Sequence, residues 1–174
     1  DQTLANTALD WAGVHWSEML WPLPEDARER RTLMAHESFH RIQPSLELLT
    51  KDGDNAHLDT LEGRYTMQLE WRALDAALAA TSDADRRGRI ADALAFRAAR
   101  YRSFPAAEQA EAAPERNEGL AEYTGVMVGN DAPADRLAMA RRDLAIHVHD
   151  AGLTRSFAYA TGPAYGLLLD RYRA

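Results

Sequence analysis

Two histidines and a glutamate in the stretch LMAHESFHRIQ, residues 33–43, constrain the fold of this chain more than any other feature. His36 and His40 are four residues apart, so on an α-helix their side chains project from one face, about 6 Å apart. Leu33 and Gln43 fall on the same face, which predicts that both imidazoles point into the protein. The fold must therefore pack this helix against its neighbours through a partly polar face.

Such a face suits a metal site. Histidine nitrogens bind zinc at about 2.0–2.1 Å, and two imidazoles on one helical face can reach a single ion. Glu37 points about 100° away, off the metal but within reach of a water bound to it. A general base is needed there, because zinc lowers the pKa of the water and a carboxylate takes its proton during attack on a carbonyl. The competing interpretation, three ordinary polar residues on a surface helix, requires His36 and His40 to face solvent.

A second stretch, NEGLAEY at residues 117–123, supplies candidate ligands on another predicted helix. The chain contains no cysteine, so any metal must be held by His, Asp or Glu side chains. A zinc ion with two histidines needs a third protein ligand, which leaves a fourth position for water. Glu118 and Glu122 are four residues apart and share one face of their helix, so either can turn toward the histidines.

The pattern H-E-x-x-H followed by N-E-G-x-A-E-Y resembles the gluzincin metallopeptidases, the thermolysin-like and aminopeptidase-type clan. The resemblance implies that His36, His40 and Glu118 bind one zinc ion. It also implies that Glu37 is the catalytic base and that Glu122 orients His36 through a hydrogen bond, as carboxylates do for many zinc-binding histidines. Two predicted helices separate His40 from Glu118, a longer interval than in the familiar gluzincins, which indicates a divergent family.

Two tyrosines and a glutamine complete the candidate site. Gluzincins stabilise the developing oxyanion with a Tyr or His from the C-terminal part, so the resemblance makes Tyr159 and Tyr165 candidate catalytic residues. Aromatic residues in such a stretch more often pack in the core, and this interpretation stays open for both. Gln43, one step further along the histidine face, is predicted to support the metal ligands without binding the metal.

Other ionisable residues have more ordinary interpretations. Glu70 lies in the apolar band of a predicted helix and is the chief rival to Glu118 as third ligand, although an ion pair with Arg72 or Arg97 is the more usual role. His147 and His149 are two residues apart on a predicted helix and point to different faces. The sequence therefore favours one zinc ion, with iron or manganese as less suited metals.

Hydrophobic periodicity predicts a mainly α-helical single domain over residues 1–174. Residues 11–21, WAGVHWSEMLW, predict a strand. The motif helix should begin at Pro24, which suits a first turn, and end near Gln43, because Pro44 disfavours helical geometry in the residue before it. Further helices are predicted at about residues 57–80, 85–103 and 134–151. Two more are predicted to begin at Pro114 and at Gly162-Pro163. His57 is a possible N-cap of the first of these helices, and Ser82 or Asp83 of the second.

The resemblance implies a zincin-like catalytic domain whose β-sheet, N-terminal to the motif helix, is small or truncated. The chain opens at Asp1 in mid-pattern, which fits the removal of an N-terminal segment or signal peptide. Removal of a signal peptide would imply a periplasmic or secreted protein; the sequence itself leaves the localisation open. Abundant alanine and a single lysine, Lys51, among many arginines are typical of a GC-rich bacterial genome.

Charge and hydropathy exclude two classes of partner. The net charge is −7, and no basic stripe or basic–aromatic alternation is present, which argues against nucleic acid. No apolar run approaches the roughly 20 residues that span a bilayer. We therefore expect a zinc peptidase acting on a peptide or protein substrate that pairs with the predicted strand. The alternative is a non-catalytic zinc-binding scaffold or interaction domain, in which a protein side chain fills the fourth metal position. An intact Glu37 favours the enzyme.

Overall fold

The computed structural model describes residues 6–48 and 53–172. Over these residues the protein is mainly helical, with a small two-stranded antiparallel sheet at its N-terminal end, as the sequence predicts. None of the described helices is long and apolar enough to cross a membrane.

The N-terminal sheet is a β-hairpin. Strand β1 (Thr7–Trp11) pairs with strand β2 (Val14–Glu18). The two linking residues, Ala12 and Gly13, have φ angles of 52° and 76°. Both angles lie in the left-handed region that two-residue hairpin turns of type I′ require. The prediction of one strand over residues 11–21 is therefore wrong, because this turn reverses the chain inside the stretch.

Helices make up most of the remaining described chain. The α-helices are α1 (Ala27–Ile42), α2 (Leu61–Ala79), α3 (Asp83–Ser103), α4 (Ala107–Pro114), α5 (Leu120–Gly129), α6 (Pro133–His147) and α7 (Phe157–Arg171). A π-helical turn (Glu115–Gly119) joins α4 to α5, and two 3₁₀ turns (Gln43–Leu46 and Ala56–Asp59) precede α2.

Helix α1 ends where the sequence predicts but begins later. Pro24 precedes the helix and is not in its first turn. Asp26 is the N-cap, because its carboxylate accepts hydrogen bonds from two backbone N–H groups of the first turn, at 2.8 and 3.0 Å. Helices α2 and α3 lie in the predicted stretches. Thr60 caps α2 in place of His57, and Ser82 caps α3 as expected.

Two prolines that were predicted to open helices lie within helical segments. Pro114 is the last residue of α4, which continues through the π-helical turn into α5, and Pro163 lies inside α7. Pro114 has no N–H for the carbonyl of Ala110, and the side-chain amide of Asn55 donates to that oxygen (3.1 Å). Asn55 thus supplies the hydrogen bond that the Ala110 carbonyl would otherwise lack, and the helix continues. The predicted helix starts at Pro114 and Pro163 are wrong.

The main apolar core lies between α2, α3, α6 and α7. Its largest fully buried members include Met67 and Leu74 from α2 and Phe157 from α7. Tyr165 packs against the edge of this core. The core holds α7 in place, and α7 in turn contacts α5 and the π-helical turn.

Helix α1 packs against α5 through a different kind of surface. The buried residues of α1 are polar, namely Thr32, His36 and Glu37. Gly125 of α5 permits a close approach, since a methyl group built there would lie 2.7 Å from the carbonyl oxygen of Thr32. A helix that buries polar instead of apolar side chains violates the usual pattern, which is typical of a functional site.

Candidate metal centre

Three side chains from two elements converge at the α1–α5 interface. His36 and His40 come from α1, and Glu118 comes from the π-helical turn before α5. The Glu118 Oε2 atom lies 3.4 Å from His36 Nε2 and 3.3 Å from His40 Nε2. The two Nε2 atoms are 2.9 Å apart. Among the described residues, this is the one group of three such side chains whose ligand atoms lie within 4.8 Å of one another.

The spacing of these three atoms fits a tetrahedral zinc ion. Bonds of about 2.0–2.1 Å at tetrahedral angles separate neighbouring ligand atoms by about 3.3 Å. Both distances to Glu118 match this value, and the distance between the histidine nitrogens needs to open by only a few tenths of an ångström. Two nitrogens and one carboxylate oxygen are also one of the sets of three protein ligands found in catalytic zinc sites, which keep an open fourth position.

Hydrogen bonds on the far side of each ring determine which nitrogen faces the other ligands. The Nδ1 atom of His36 lies 2.7 Å from Glu122 Oε2, and that of His40 lies 2.6 Å from Gln43 Oε1. A carboxylate and an amide oxygen only accept, so both Nδ1 atoms carry the proton. In the neutral rings each Nε2 then presents a lone pair. Two lone pairs 2.9 Å apart repel each other unless a cation or a proton lies between them.

Gln43 has a second function in this arrangement. Its side chain is fully buried, and its Nε2 atom donates to the backbone carbonyls of Arg116 (3.1 Å) and Asn117 (2.8 Å). These bonds fix the orientation of the amide, so its oxygen faces His40. The residue therefore joins one histidine to the turn that carries Glu118. Gln43 and Glu122 each contact one of the two histidines, and their role in supporting metal ligands stays a prediction.

The electrostatics of the group favour bound positive charge. Burial acts to lower the pKa of His36, but hydrogen bonds with Glu118 and Glu122 raise it to about 9. Burial acts to raise the pKa of Glu118, but hydrogen bonds with His36 and His40 hold it well below its usual range. The carboxylate thus stays ionised at neutral pH, and the imidazoles attract a proton. A divalent cation would compete for the place of that proton.

Tyr159 contacts two of the three candidate ligands. Its hydroxyl donates to Glu118 Oε2 (2.8 Å), and its ring stacks on that of His36, with centroids 5.6 Å apart and an interplanar angle of 10°. Tyr165 does not join the group, since its hydroxyl donates to Glu70 Oε1 (2.8 Å). The expectation that Tyr165 serves the metal site is corrected accordingly, and Tyr159 is the tyrosine that remains.

Glu37 is 5% exposed and lies beside the group. Its carboxylate makes no hydrogen bond to a described residue, while its backbone carbonyl accepts one from Ser17 of β2 (3.1 Å). Burial raises the pKa of Glu37, and the nearby His36 and His40 oppose that rise only in part. A carboxylate with a raised pKa takes up and releases a proton more readily near neutral pH.

A cavity of about 440 Å³ adjoins one side of the group. Glu118 and Tyr159 form part of its wall, together with Thr154, Arg155 and Asp59. The volume falls within the range typical of small-molecule and substrate sites. The cavity therefore reaches Glu118 and Tyr159, while His36, His40 and Glu37 are not among the described residues that line it.

The remaining candidates have other partners. Glu70 pairs with Arg97, as one prediction held, and also with Arg100, so it is not available as a metal ligand in this structure. His147, the last residue of α6, lies 2.8 Å from Asp150, which is just beyond the end of that helix, and its ring centroid is 5.9 Å from that of Tyr159.

No family model matches this chain, and neither a curated protein nor a solved structure matches it.

Proposed function

We propose that this protein is a zinc-dependent metallopeptidase that binds one zinc ion through His36, His40 and Glu118. The observation that carries the proposal is the convergence of the three ligand atoms at tetrahedral spacing. The hydrogen bonds that aim both Nε2 lone pairs at the same point support it. A purely structural ion would not require the buried glutamate that follows His36.

A bound zinc ion would act as a Lewis acid that polarises the scissile carbonyl and lowers the pKa of water in its open position to about 7. Glu37 takes one proton from the attacking water as the oxygen bonds to the carbonyl carbon. It then gives that proton to the leaving nitrogen as the C–N bond breaks. One peptide bond and one water thus give a carboxylic acid and an amine, and the carboxylate returns to its starting state.

Tyr159 is suited to stabilise the oxyanion. Burial raises the pKa of its hydroxyl, and the nearby Glu118 carboxylate raises it further, so the phenol stays protonated at neutral pH. A protonated hydroxyl beside a ligand can donate a hydrogen bond to negative charge that develops on the substrate. The stacked contact with His36 limits the movement of the ring.

The substrate we propose is a peptide in extended conformation. Strand β2 contacts α1, and a groove of about 680 Å³ runs between them, lined by Trp16 and Ser17 on one side and Ser38 and Arg41 on the other. A hairpin presents unpaired backbone groups at its edges, to which an extended peptide can add as a further strand. The hydrogen bond from Ser17 to the Glu37 carbonyl ties this strand to the helix that bears the proposed base.

The test is a comparison of Glu37→Gln with the parent on a peptide library, read by mass spectrometry. Gln keeps the shape of the side chain but cannot accept a proton at neutral pH, so hydrolysis should fall by at least ~10²-fold. Zinc should remain bound at one ion per chain, because no ligand is changed. Glu25→Gln, at an exposed position before α1, is the matched control and should cleave like the parent.

Equal cleavage by Glu37→Gln and the parent, both with zinc bound, would contradict the mechanism. The scaffold alternative gives a different result. It predicts stoichiometric zinc without cleavage by any variant, and X-ray absorption would show four protein ligands in place of three protein ligands and a solvent oxygen.

A further inference from the structure

A cluster of buried ion pairs lies next to the proposed metal centre. Arg97 donates to Glu70 Oε1 (2.9 Å) and binds Glu115 through two parallel bonds of 2.5 and 3.1 Å. Arg100 binds Glu70 (2.8 Å) and makes two bonds of 2.7 Å to Glu111. These five side chains, named here the arginine cluster, join α2, α3, α4 and the π-helical turn.

Stability alone is a poor explanation for the arginine cluster. Glu70, Arg100 and Glu111 are fully buried. The desolvation of buried charges offsets most of their mutual attraction, so well-packed apolar residues would stabilise the fold equally well. What such pairs supply is a defined geometry, because a planar guanidinium binds a carboxylate in one orientation through two parallel bonds.

The element that this geometry fixes is the π-helical turn. Glu115 is its first residue, and Glu118 is its fourth. On the other side of the turn, Gln43 donates to the carbonyls of Arg116 and Asn117. The turn is therefore restrained from α3 by Arg97 and from the 3₁₀ turn after α1 by Gln43.

We propose that Arg97 is a positioning residue for the third metal ligand: by binding Glu115 it holds the π-helical turn in the shape that points Glu118 at His36 and His40. This inference rests on the proposed zinc centre. A π-helical turn contains one residue more than the α-helical turn it replaces. Relaxation to α-helical geometry would rotate the residues on one side of it by roughly 100° about the axis. The Glu118 carboxylate would then leave the histidines, since a zinc–oxygen bond tolerates a deviation of only about 0.2 Å.

The experiment compares two variants of the same helix. Arg97→Met removes the bonds to Glu115, and Arg86→Met removes another buried guanidinium of α3, whose partners Asp83 and Ala80 lie at the N-terminal end of that helix. Zinc dissociation constants are measured by chelator competition on protein whose folding is verified by circular dichroism. We expect Arg97→Met to bind zinc ~10–100-fold more weakly than the parent, and Arg86→Met to bind within about 3-fold of it.

Cobalt(II) supplies a readout that a general loss of stability would not change. The visible spectrum of bound cobalt depends on the number and arrangement of its ligands. Arg97→Met should alter that spectrum in the same sense as Glu118→Ala, and Arg86→Met should leave it unchanged. Arg97→Lys keeps the charge but not the two parallel bonds. Its zinc affinity and its cobalt spectrum should therefore lie between those of the parent and those of Arg97→Met. It also serves as the test variant if Arg97→Met does not fold.

Parent-like zinc affinity and cobalt spectrum in folded Arg97→Met, or in Arg97→Lys if Met does not fold, would overturn the inference. Equal losses in Arg97→Met and Arg86→Met would overturn it as well, since the effect would then be one of general stability. A parent protein that binds no zinc would contradict the proposed function itself. If instead the parent binds zinc and the Arg97 variants bind it equally well, only the role of Arg97 is contradicted.

Discussion

At the scale of single residues, the two candidate histidine ligands are supported by different chemistry. His36 is held by the carboxylate of Glu122, and His40 by the neutral amide of Gln43. The carboxylate raises the basicity of its ring more than an amide does, because it stabilises positive charge on the imidazole. His36 is also the more buried of the two, with 5% of its side chain exposed against 20% for His40. Glu122 should therefore influence metal affinity strongly without touching the metal.

Replacing Glu122 by Ala should weaken zinc binding by roughly 10–100-fold and leave one ion per chain at saturating zinc. The physical reason is that His36 loses both its orientation and the carboxylate that supports its basicity. Glu122→Gln keeps an acceptor for Nδ1–H and should lose less. Isothermal titration of the metal-free variants measures both effects. Complete loss of zinc from Glu122→Ala would instead indicate that Glu122 is itself a zinc ligand. An unchanged zinc affinity would show that Glu122 does not support zinc binding.

At the scale of elements, the sequence predicts the motif helix and its inward face well but not the turn that bears Glu118. The spacing of His36 and His40 encodes their shared face, because the α-helical period is local. The π-helical turn is not determined by the residues near it in the sequence. It depends on Arg97 and on Gln43, which lie far from it in sequence. The same reason explains the helical starts wrongly placed at Pro114 and Gly162-Pro163, since tertiary contacts decide whether a proline ends a helix.

The α1–α5 contact provides a test at this scale. A methyl group at Gly125 would lie 2.7 Å from the Thr32 carbonyl oxygen and 3.4 Å from His36 Cβ. Gly125→Ala should therefore separate the two helices and destabilise the protein by ~1–3 kcal/mol, and it should also weaken zinc binding. Gly88→Ala is the control, because no described residue outside its own turn of α3 lies within 4 Å of the added methyl. It should stabilise the protein by up to ~1 kcal/mol.

Urea unfolding of the two glycine variants, with and without zinc, measures these changes. If Gly125→Ala proved as stable as Gly88→Ala and bound zinc like the parent, close packing of α1 on α5 would not be what aligns His36 with Glu122.

At the scale of the whole molecule, hydrophobic periodicity predicts a mainly helical chain, and the structure confirms it. The small N-terminal sheet, which the resemblance implies, is present as a hairpin, although the single strand predicted over residues 11–21 is wrong. Apolar patterns report which residues enter the core, so α2 and α3 are well placed. Polar residues that are buried by distant elements leave no such trace. Asp143 is 6% exposed, and its Oδ2 atom has no hydrogen-bond partner among the described residues. Nothing in its local sequence distinguishes it from the exposed acidic residues nearby.

Asp143 should make stability depend on pH. Burial, with a smaller contribution from Glu122, raises the pKa of Asp143 from 3.8 to about 8. Between these two values the folded protein keeps a proton that the unfolded chain has lost, so the free energy of unfolding falls as pH rises from about 4 to 8. Asp143→Asn has no proton to gain or lose at this position, so it avoids that loss of stability. It should be more stable than the parent by at least ~1 kcal/mol at pH 8 and by little at pH 4.

Urea unfolding of metal-free protein at pH 4, 6 and 8 gives the comparison, with the exposed Asp131→Asn as control. A stability difference between Asp143→Asn and the parent that stays constant over this range would show that Asp143 does not carry the pH dependence.

The measurement that tests the central claim most directly is anomalous diffraction at the zinc absorption edge from crystals grown with zinc. The account predicts one peak, at ~2.0–2.2 Å from His36 Nε2, His40 Nε2 and a carboxylate oxygen of Glu118, with solvent in the fourth position. No peak at these residues would contradict the account, and so would an ion bound by Glu70 or Glu122 in place of Glu118.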